Sequence, residues 1–592
     1  MQFPNKKLLI LILAAAGFLV YAFNSNNPLF WDDDDWIKGN VFIHDFSHLK
    51  EIFTENVLSG FGLNGNYYRP LLLLSFAFNY VIGGIEPLGY HLVSNGLHIA
   101  NGILIFLLLR AFISQRSAFL AALLFLIHPL QTEAVTYISG RGDPMSVFFM
   151  LTGLWLLIKG QPAVLEIRRK RLYFTASLAM MILGILSRET AVLFPVLLMI
   201  YYIAFLTAKP FFRAFKEALI KSLPYWTVAI VYFVLRLTVF NFKNTLNFYS
   251  QANEYTRHLS YRLYTFGEVL IEYFKLIFVP VGLHMERDLP VKTSIFQWPV
   301  PLAAAILTVI IFIGIILLRR SKKPEPNTYD PEPRLWFFGW FWFFAALGPV
   351  SGIVPINALI YEHWLYLPLI GFFALATFYF DKFLDFLKSR STIGHKLLVA
   401  ALIGYFGFFG AAAAKRNLAW GDTESFYRDI LKYNPASVRI LNNLGNLYSG
   451  KDEPAKAIDF YQRAISSPLG NIFAQPHYNL GNVYRDQGHL DKATVEYNKA
   501  IEIDPSFPFA YQNLAAIYAG QGDLASAALM LEKVKKLRPQ EPRVYYNLAL
   551  IYLAQRKDEL ALENLKIALS LAANDPEALA QIKAVLGKIA KK

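Results

Sequence analysis

The sequence predicts an all-α protein in two parts, a membrane domain followed by a stack of helical repeats. Only 17% of the 592 residues are charged and 55% are hydrophobic, whereas about a quarter of a typical soluble chain is charged. Apolar runs close to the roughly 20 residues that cross a bilayer recur from residue 1 to about residue 415. The remaining residues form polar, amphipathic segments with a recurring period. Lipid is therefore the solvent of the first part, and water is the solvent of the second.

About eleven apolar segments are predicted to cross the membrane. The first, residues 8–20, follows Lys6 and Lys7, and we interpret it as a retained span because no convincing signal-peptide cleavage site follows it. The others are 88–110, 117–128, 143–158, 172–187, 190–206, 222–241, 299–318, 335–354, 363–380 and 397–414. Residues 261–280 are predicted to be re-entrant or interfacial, and the shorter run 70–85 to lie at the outer membrane surface.

Short basic loops indicate how these spans are oriented in the membrane. The formal net charge is +14, and much of the excess lies in short loops at 168–171, 209–221 and 319–323. Cytoplasmic loops are enriched in lysine and arginine, so the N-terminus is predicted to be cytoplasmic. Residues 24–87 then form a long outside loop, and the chain after residue 415 is also outside. This charge distribution argues against nucleic-acid binding, and a sequence without cysteine has no disulfide framework or thiolate metal site.

The second part repeats with a period close to 34 residues. Each unit has a leucine, a small residue directly after it, a tyrosine four positions after the leucine, and an alanine on the next helix. The equivalent positions are Leu444, Leu480, Leu514 and Leu548; Gly445, Gly481, Ala515 and Ala549; Tyr448, Tyr484, Tyr518 and Tyr552; and Ala457, Ala493, Ala527 and Ala561. This pattern predicts four tetratricopeptide (TPR) repeats in residues 436–592, preceded by a connector and half-repeat at 416–435 that caps the solenoid.

One asparagine recurs at an equivalent position in every repeat and is predicted to form a ladder along the concave face. The four residues are Asn443, Asn479, Asn513 and Asn547. Carboxamides donate to and accept from a peptide backbone without reading its sequence, which suits capture of a protein acceptor. The alternative interpretation is helix solvation and hydrogen bonding between repeats.

Four consecutive aspartates, residues 32–35, lie between Trp31 and Trp36 just after the first span. Tryptophan prefers the membrane interface, so the carboxylates are expected at the level of lipid headgroups. Their mutual repulsion raises a pKa or attracts a cation. The segment is therefore a candidate base for deprotonating a hydroxyl, or a candidate Mg²⁺ or Mn²⁺ site formed by Asp32, Asp33, Asp34 and Asp35. The alternative is a solvated acidic turn.

Further polar residues fall at the predicted outer ends of spans, where their solvation in hydrocarbon is costly. They are Arg69, His91, His98, His128, Glu133, Arg141, Asp143, Arg188, Glu189, Glu362 and His363. For any single histidine a structural hydrogen bond is the simpler explanation. As a set, these residues are expected to converge with the acidic loop on one outer-leaflet cavity.

Several short motifs contain these residues. They are Phe30, Asp32, Asp33, Ile37 and Asn40; Tyr68-Arg69-Pro70; Gly89-Tyr90-His91 with Asn95 and His98; His128-Pro129 with Thr132-Glu133; Gly140-Arg141 and Asp143; Ser187-Arg188-Glu189-Thr190; and Glu362 with Leu365-Tyr366-Leu367-Pro368. Over nearly the whole chain the sequence resembles the transmembrane and TPR repeat-containing O-mannosyltransferase family and its bacterial relatives, within the glycosyltransferases of the GT-C fold. It departs from that family at Arg188, where lysine is frequent, and at His363, where arginine is frequent.

The resemblance implies transfer of mannose or another hexose from a polyprenyl-phosphate carrier to a hydroxyl acceptor outside the membrane. Asp32 or Asp33 is the expected base, with Asp34 beside them. Four residues are expected to bind the donor phosphate or its lipid carrier: Arg69, His91, Arg141 and Arg188. Five are expected to position the others: Glu133, Asp143, Glu189, Glu362 and His363. The repeats, outside and tethered, would recruit a protein acceptor.

Two other classes of function stay open at this point. One is a transferase acting on polysaccharide or lipid, whose repeats recruit partners, and the other is a non-catalytic envelope scaffold with a decayed active site. The sequence without cysteine and the short repeat region favour a bacterial inner membrane. The acidic loop and the repeats are then extracytoplasmic.

Overall fold

The computed structural model describes residues 4–62, 65–161, 166–207, 211–240, 242, 254–287, 289–320, 331–354, 356, 358–572 and 576–589. Within these residues the regular secondary structure is helical, which confirms the predicted all-α class. The chain divides into two compact units, one holding Met1–Asn244 and Tyr249–Tyr433 and the other holding Asn434–Lys592. Positions 209, 210 and 321–323 of the predicted basic loops, and position 241 of a predicted span, lie outside the described residues.

The first unit, called here the membrane unit, contains helices α1 to α17. In chain order they are Lys6–Tyr21, Leu49–Thr54, Pro70–Gly83, Pro87–Leu109, Gln115–Ile127, Thr132–Thr136, Gly142–Lys159, Ile167–Ser187, Phe194–Tyr201, Phe211–Leu237, Glu254–Arg257, Leu259–Phe278, Val300–Arg320, Pro331–Leu347, Pro368–Arg390, Thr392–Ala419 and Thr423–Tyr433. Short helical segments between them, such as the π-helix Asp34–Lys38, carry several of the polar residues discussed below.

Seven helical segments within the described residues are long and apolar enough to cross a membrane, or eight if the bent pair Gln115–Ile127 and Pro129–Thr136 forms one span. They make this a multi-pass membrane protein, but the predicted number of about eleven spans is not confirmed. Three predicted spans correspond to helices outside this set: α7, α14 and α15. One reason is length, since α14 has 17 residues, and another is charge, since the last ten residues of α15 include Asp381, Lys382, Asp385, Lys388 and Arg390.

A buried network of amides joins the helix ends from which the candidate site emerges. Asn24, just after α1, donates to Asn95 of α4 at 3.1 Å and to Thr136 of α6 at 3.1 Å. Asn417 of α16 donates to the carbonyl of Val20 at 2.8 Å and accepts from Thr136. Buried polar groups are costly to leave unpaired, so this network fixes these four helices relative to one another.

The second unit, called here the repeat unit, contains α18 to α26. They are Val438–Gly450, Pro454–Ser466, Ala474–Asp486, Leu490–Ile503, Pro508–Gly520, Leu524–Leu537, Pro542–Ala554, Asp558–Leu571 and Pro576–Ile589. The first eight form four helix pairs that match the predicted repeats. A side chain on Gly445 would lie 2.3 Å from the Tyr461 ring, so the small residue is needed for the helices to approach. The capping role predicted for residues 416–435 stays a prediction.

Candidate active site

The acidic loop follows α1 and turns sharply before its π-helix. Asp33 is buried, with 2% of its surface exposed, whereas Asp34 is exposed and forms an ion pair with Lys38 at 2.7 Å. Asp32 and Asp35 are half-buried. The four carboxylates therefore occupy different environments, although they are adjacent in sequence.

Asp33 is held by three donors. Its Oδ1 accepts the backbone N–H of Ser139 at 2.9 Å and also the Ser139 hydroxyl, and its Oδ2 accepts the backbone N–H of Phe30 at 3.3 Å. Burial raises the pKa of Asp33 to about 7, and the neighbouring Asp32 adds to the rise although the hydrogen bonds oppose it. A carboxyl group with such a pKa accepts a proton near neutral pH, as a general base must.

Two arginines and two carboxylates form ion pairs at the neighbouring helix ends. Arg69, directly before α3, contacts Glu189 through Nε at 3.0 Å and Nη2 at 2.9 Å. Arg188, directly after α8, contacts Asp143 of α7 at 2.7 Å. The charges of these four residues influence one another, so they form one cluster, called here the basic cluster.

The acidic loop and the basic cluster close a ring. On one side, Asp33 binds Ser139, four positions before Asp143. On the other side, the Arg69 guanidinium lies over the ring of Trp36, with 5.7 Å to its centre, and over that of Tyr67 at 4.5 Å. The structure thus brings Arg69, Asp143, Arg188 and Glu189 together, and it links them to the acidic loop through Ser139 and Trp36. The common outer-leaflet cavity stays a prediction.

The three predicted phosphate-binding arginines differ in how they are paired. Arg141 is fully buried, and its nitrogens donate to Ser94 and Asn79, to the carbonyl of Tyr90, and to Ser75. Burial lowers its pKa to about 9. Arg188 contacts Asp143 through Nη1, and 12% of its side chain is exposed. Arg188 is therefore more accessible than Arg141.

A second buried group of charges surrounds Glu362. Its carboxylate pairs with Arg287 at 3.0 Å and Arg416 at 3.1 Å and accepts the backbone N–H of His284 at 2.8 Å. Glu133 in turn accepts the backbone N–H of Glu362 at 3.1 Å and pairs with His363. The charges of Asp143, Arg188 and Arg69 act on His363, so this group adjoins the basic cluster.

The other predicted histidines, His91, His98 and His128, form hydrogen bonds with buried groups of the protein. His91 has Nε2 at 3.0 Å from the carbonyl of Asn27, and its Nδ1 is buried without a partner among the described residues. His98 lies between the Tyr366 hydroxyl at 2.9 Å and the Leu126 carbonyl at 3.2 Å, and His128 contacts the Ile277 carbonyl. These contacts fit the structural interpretation for His98 and His128.

The described residues contain no group of three or more histidine, aspartate or glutamate side chains arranged to hold a metal ion. Asp33 is directed to Ser139 and Asp34 to Lys38, so these two carboxylates do not face a common point. Burial and its acidic neighbours raise the pKa of Asp35 to about 7. The Mg²⁺ or Mn²⁺ site stays a prediction.

The asparagine ladder joins neighbouring repeats at two of its positions. Asn479 donates to Asn446 at 2.9 Å and to Asn442 at 3.0 Å, and Asn513 donates to Asn482 at 2.7 Å. Asn443 is half-buried and Asn547 is exposed. Hydrogen bonding between repeats, one of the two sequence interpretations, therefore accounts for Asn479 and Asn513.

Sequence reasoning missed Ser139, Arg287 and Arg416. Ser139 carries no signal, because a serine in an apolar segment has many ordinary uses. The two arginines had a usable signal, since a buried glutamate such as Glu362 requires cationic partners, and each arginine stands in a segment next to a span.

Family models described as "TPR repeat" and "Tetratricopeptide repeat" match residues 481–522, 513–577 and 438–468. They confirm the predicted repeats. These matches lie within the repeat unit and cover less than half of the chain.

Curated relatives match most of this chain at low identity. The mouse protein O-mannosyl-transferase TMTC3 is 22% identical over 80% of this chain and 52% of its own length. The Caenorhabditis elegans protein O-mannosyl-transferase F38B6.6 is 24% identical over 84% of this chain and 63% of its own. A shorter match, to Drosophila melanogaster protein O-mannosyl-transferase Tmtc1, is 38% identical over 22% of this chain and 16% of that protein.

The chain thus spans about half to three fifths of the length of the two curated relatives that it matches along most of its own length. Those matches cover at least 80% of this chain, far more than the repeats alone. The resemblance indicated by the motifs is confirmed: this chain is similar along most of its length to curated protein O-mannosyl-transferases, and it contains TPR repeats.

Proposed function

We propose that this chain is a membrane glycosyltransferase that moves a hexose from a polyprenyl-phosphate carrier to a hydroxyl group of a protein, on the extracytoplasmic side. The observation that supports it most is the ring formed by the acidic loop and the basic cluster. Such a ring offers a proton acceptor beside cations that stabilise a leaving phosphate. The names of the curated relatives support the protein acceptor and the mannosyl group.

In this proposal Asp32 or Asp33 removes the proton of the acceptor hydroxyl. The acceptor oxygen forms a bond to the anomeric carbon while the bond from that carbon to the phosphate oxygen breaks. The proton ends on the carboxylate, and the leaving polyprenyl phosphate gains one negative charge. Inversion follows because the attacking and leaving oxygens lie on opposite faces of the sugar.

Arg69 and Arg188 stabilise this additional negative charge on the leaving phosphate. Glu189 takes Nε and Nη2 of Arg69, and Asp143 takes one nitrogen of Arg188, so each guanidinium is oriented and retains further N–H donors. Glu133, Glu362 and His363 border this cluster and position its members. Arg141 serves the framework rather than the phosphate, and His91 stays a candidate contact for the lipid carrier.

A lipid-linked donor suits this site because its carrier diffuses in the bilayer, whereas a nucleotide sugar is confined to the cytoplasm. The acidic loop and the basic cluster lie at helix ends that are alternately C-terminal and N-terminal: the end of α1, the start of α7 and the end of α8. Antiparallel neighbours place such ends on one side of a membrane. With a cytoplasmic N-terminus, that side is the outer one.

The repeats supply the acceptor. A tethered binding surface raises the effective concentration of a bound peptide at the site. For short linkers this concentration is on the order of millimolar. Asn443 and Asn547 are the ladder residues left for backbone contacts, since Asn479 and Asn513 donate to neighbouring repeats.

The test is transfer by the purified full chain in proteoliposomes. Polyprenyl-phosphate mannose, polyprenyl-phosphate glucose and a nucleotide sugar are offered with a library of serine- and threonine-containing peptides, and peptides are read by mass spectrometry. A hexose on a peptide hydroxyl from a lipid-linked donor is the expected result. Transfer only to lipid or glycan would overturn the protein acceptor, and transfer from the nucleotide sugar alone would overturn the donor.

A further inference from the structure

Helix α17 packs against the start of the acidic loop. The ring of Phe30 lies 5.2 Å from that of Phe426 and 6.0 Å from that of Tyr427, and Trp31 lies 6.3 Å and 5.8 Å from the same two rings. Trp420 completes the group at 4.5 Å from Phe426. Phe30, Phe426, Tyr427 and Trp420 are buried, so they form a firm aromatic contact.

Trp31 has a backbone conformation that its side chain disfavours. Its φ is +66°, in the left-handed region that bulky residues rarely adopt. Its carbonyl accepts the N–H of Asp34 at 3.0 Å, and the carbonyl of Phe30 accepts the N–H of Asp33 at 3.3 Å. This turn sets the direction of the carboxylates, and a disfavoured turn persists only if neighbouring groups hold it.

The contacts of Asp33 with Ser139 do not reach Trp31. They fix the carboxylate from one side, through Oδ1. On the other side, Oδ2 depends on the N–H of Phe30, the residue whose ring is embedded between Phe426 and Trp420. The aromatic contact with α17 is therefore the second anchor of the loop.

We propose that Phe426 and Tyr427 are positioning residues, which hold Trp31 in its left-handed conformation and thereby fix the carboxylates of Asp32 and Asp33 for proton transfer. This inference rests on the proposed function. At its other end, α17 stacks Tyr433 on His284 with 4.3 Å between ring centres, and the backbone N–H of His284 donates to Glu362. One helix thus supports both the acidic loop and the charges around Glu362.

The first test is Phe426→Ala in the full chain in proteoliposomes. Removing the ring exposes the acidic loop to water and permits other turn conformations. We therefore expect kcat to fall about tenfold, while the KM for the lipid-linked donor changes little. The acid limb of the pH–rate profile is expected to move to lower pH, because solvent reduces the cost of charging Asp33. Asp32, Tyr90, Tyr137 and Arg141, which also act on Asp33, are unchanged in this variant.

A second readout does not depend on activity. The chain has no cysteine, so Ile37→Cys gives a single thiol at a position that is fully buried in the acidic loop. Maleimide labelling of this thiol is expected to be slow alone and faster with Phe426→Ala. Phe386→Ala is the matched control, since Phe386 is 55% exposed on α15 and should change neither labelling nor rate.

A double-mutant cycle tests the role of the turn itself. Glycine adopts a positive φ without strain, so Phe426→Ala is expected to add little to the rate loss in a Trp31→Gly background. If Phe426→Ala does not fold, Phe426→Leu carries the same test with a smaller effect. Unchanged rate, pH profile and labelling would overturn the positioning role, whereas full activity of both Asp32→Asn and Asp33→Asn would overturn the base of the proposed function instead.

Discussion

The two units of this protein hold their polar side chains in different ways. In the repeat unit, side-chain hydrogen bonds join neighbouring repeats at a regular spacing. Asn513 donates to Asn482, 31 positions earlier, and Asn479 donates to Asn446, 33 positions earlier. In the membrane unit Ser139 reaches Asp33 across 106 positions, and His363 pairs with Glu133 across 230 positions.

In the proposed function, this difference separates the unit that transfers the sugar from the unit that binds the acceptor. Long-range contacts in the membrane unit fix charged groups that have little freedom, as a site for bond-making requires. Short-range contacts in the repeat unit build a regular surface on which single residues are nearly independent. Substitutions in the membrane unit are therefore expected to lower kcat, and those in the repeats to raise the KM for the acceptor.

The largest expected effect is that of Asp33→Asn. The amide keeps the size of the side chain but cannot accept a proton at neutral pH, so kcat is expected to fall by about 10³-fold, within the range for a lost general base. Initial rates of hexose transfer to peptide measure it. Asp45→Asn, at an exposed aspartate in the same predicted outside loop, is the control and should retain the wild-type rate.

A rate for Asp33→Asn close to that of the wild type would assign the base to Asp32. The comparison of the two units would survive that result, but the role of Ser139 as the support of the reacting carboxylate would not. Ser139→Ala is expected to lower kcat by a smaller factor, about tenfold, because the backbone N–H of residue 139 still donates to Asp33.

The next largest effect is expected at Arg188. Arg188→Gln removes a charge-assisted contact to the donor phosphate and is expected to lower kcat/KM for the lipid-linked donor by about 10². Arg188→Lys keeps the charge and should lose less. Titration of the donor at saturating peptide gives both values, and an unchanged KM and kcat would remove Arg188 from the phosphate site.

Arg141 provides the contrasting arginine of the same unit. Its nitrogens already donate to four protein groups, so Arg141→Gln leaves buried acceptors unpaired and is expected to reduce the yield of folded protein. Size-exclusion chromatography in detergent after graded heating measures this loss. A well-folded Arg141→Gln variant with a raised KM for the donor would instead restore Arg141 to the phosphate site.

The repeats could be predicted because each residue of the pattern has a local cause. Gly445 and Gly481 recur because a neighbouring tyrosine ring occupies the space where a side chain would be. The all-α class and the membrane character followed in the same way from apolar runs. The number of spans could not be predicted in this way, because helices such as α15 combine apolar and charged turns.

The candidate site could be predicted only as a list of residues. Charged groups at span ends are costly, so Arg69, Asp143, Arg188 and Glu189 could be identified one by one. Their pairing, Arg69 with Glu189 and Arg188 with Asp143, depends on which helix ends meet. The sequence of an apolar span does not indicate which span packs beside it. The same limit explains why the aromatic contact between the acidic loop and α17 was not foreseen.

A smaller effect is expected from pH. The pKa of Asp33 is raised to about 7, and a base acts only when it is deprotonated, so the rate should fall about tenfold per unit below pH 7 and level off above it. The pKa of Asp35 is also raised to about 7, so the two groups titrate over the same pH range. Asp35→Asn should leave an acid limb in the pH–rate profile, and loss of that limb in this variant would reassign it to Asp35.

The smallest effects, in the repeats, test the asparagine ladder directly. Asn479→Ala removes two bonds to the preceding repeat and is expected to lower the free energy of unfolding by about 1 kcal/mol. Asn547 differs, because Ala516 stands where Asn446 and Asn482 accept in the earlier repeats, and an alanine side chain has no acceptor.

Asn547→Ala should therefore leave stability unchanged and raise the KM for the peptide about threefold, the value of one exposed hydrogen bond. Thermal unfolding of the full chain and peptide titrations at saturating donor separate the two effects. If both variants changed only stability, the ladder would serve solely to join repeats, and acceptor capture would have to lie elsewhere on their surface.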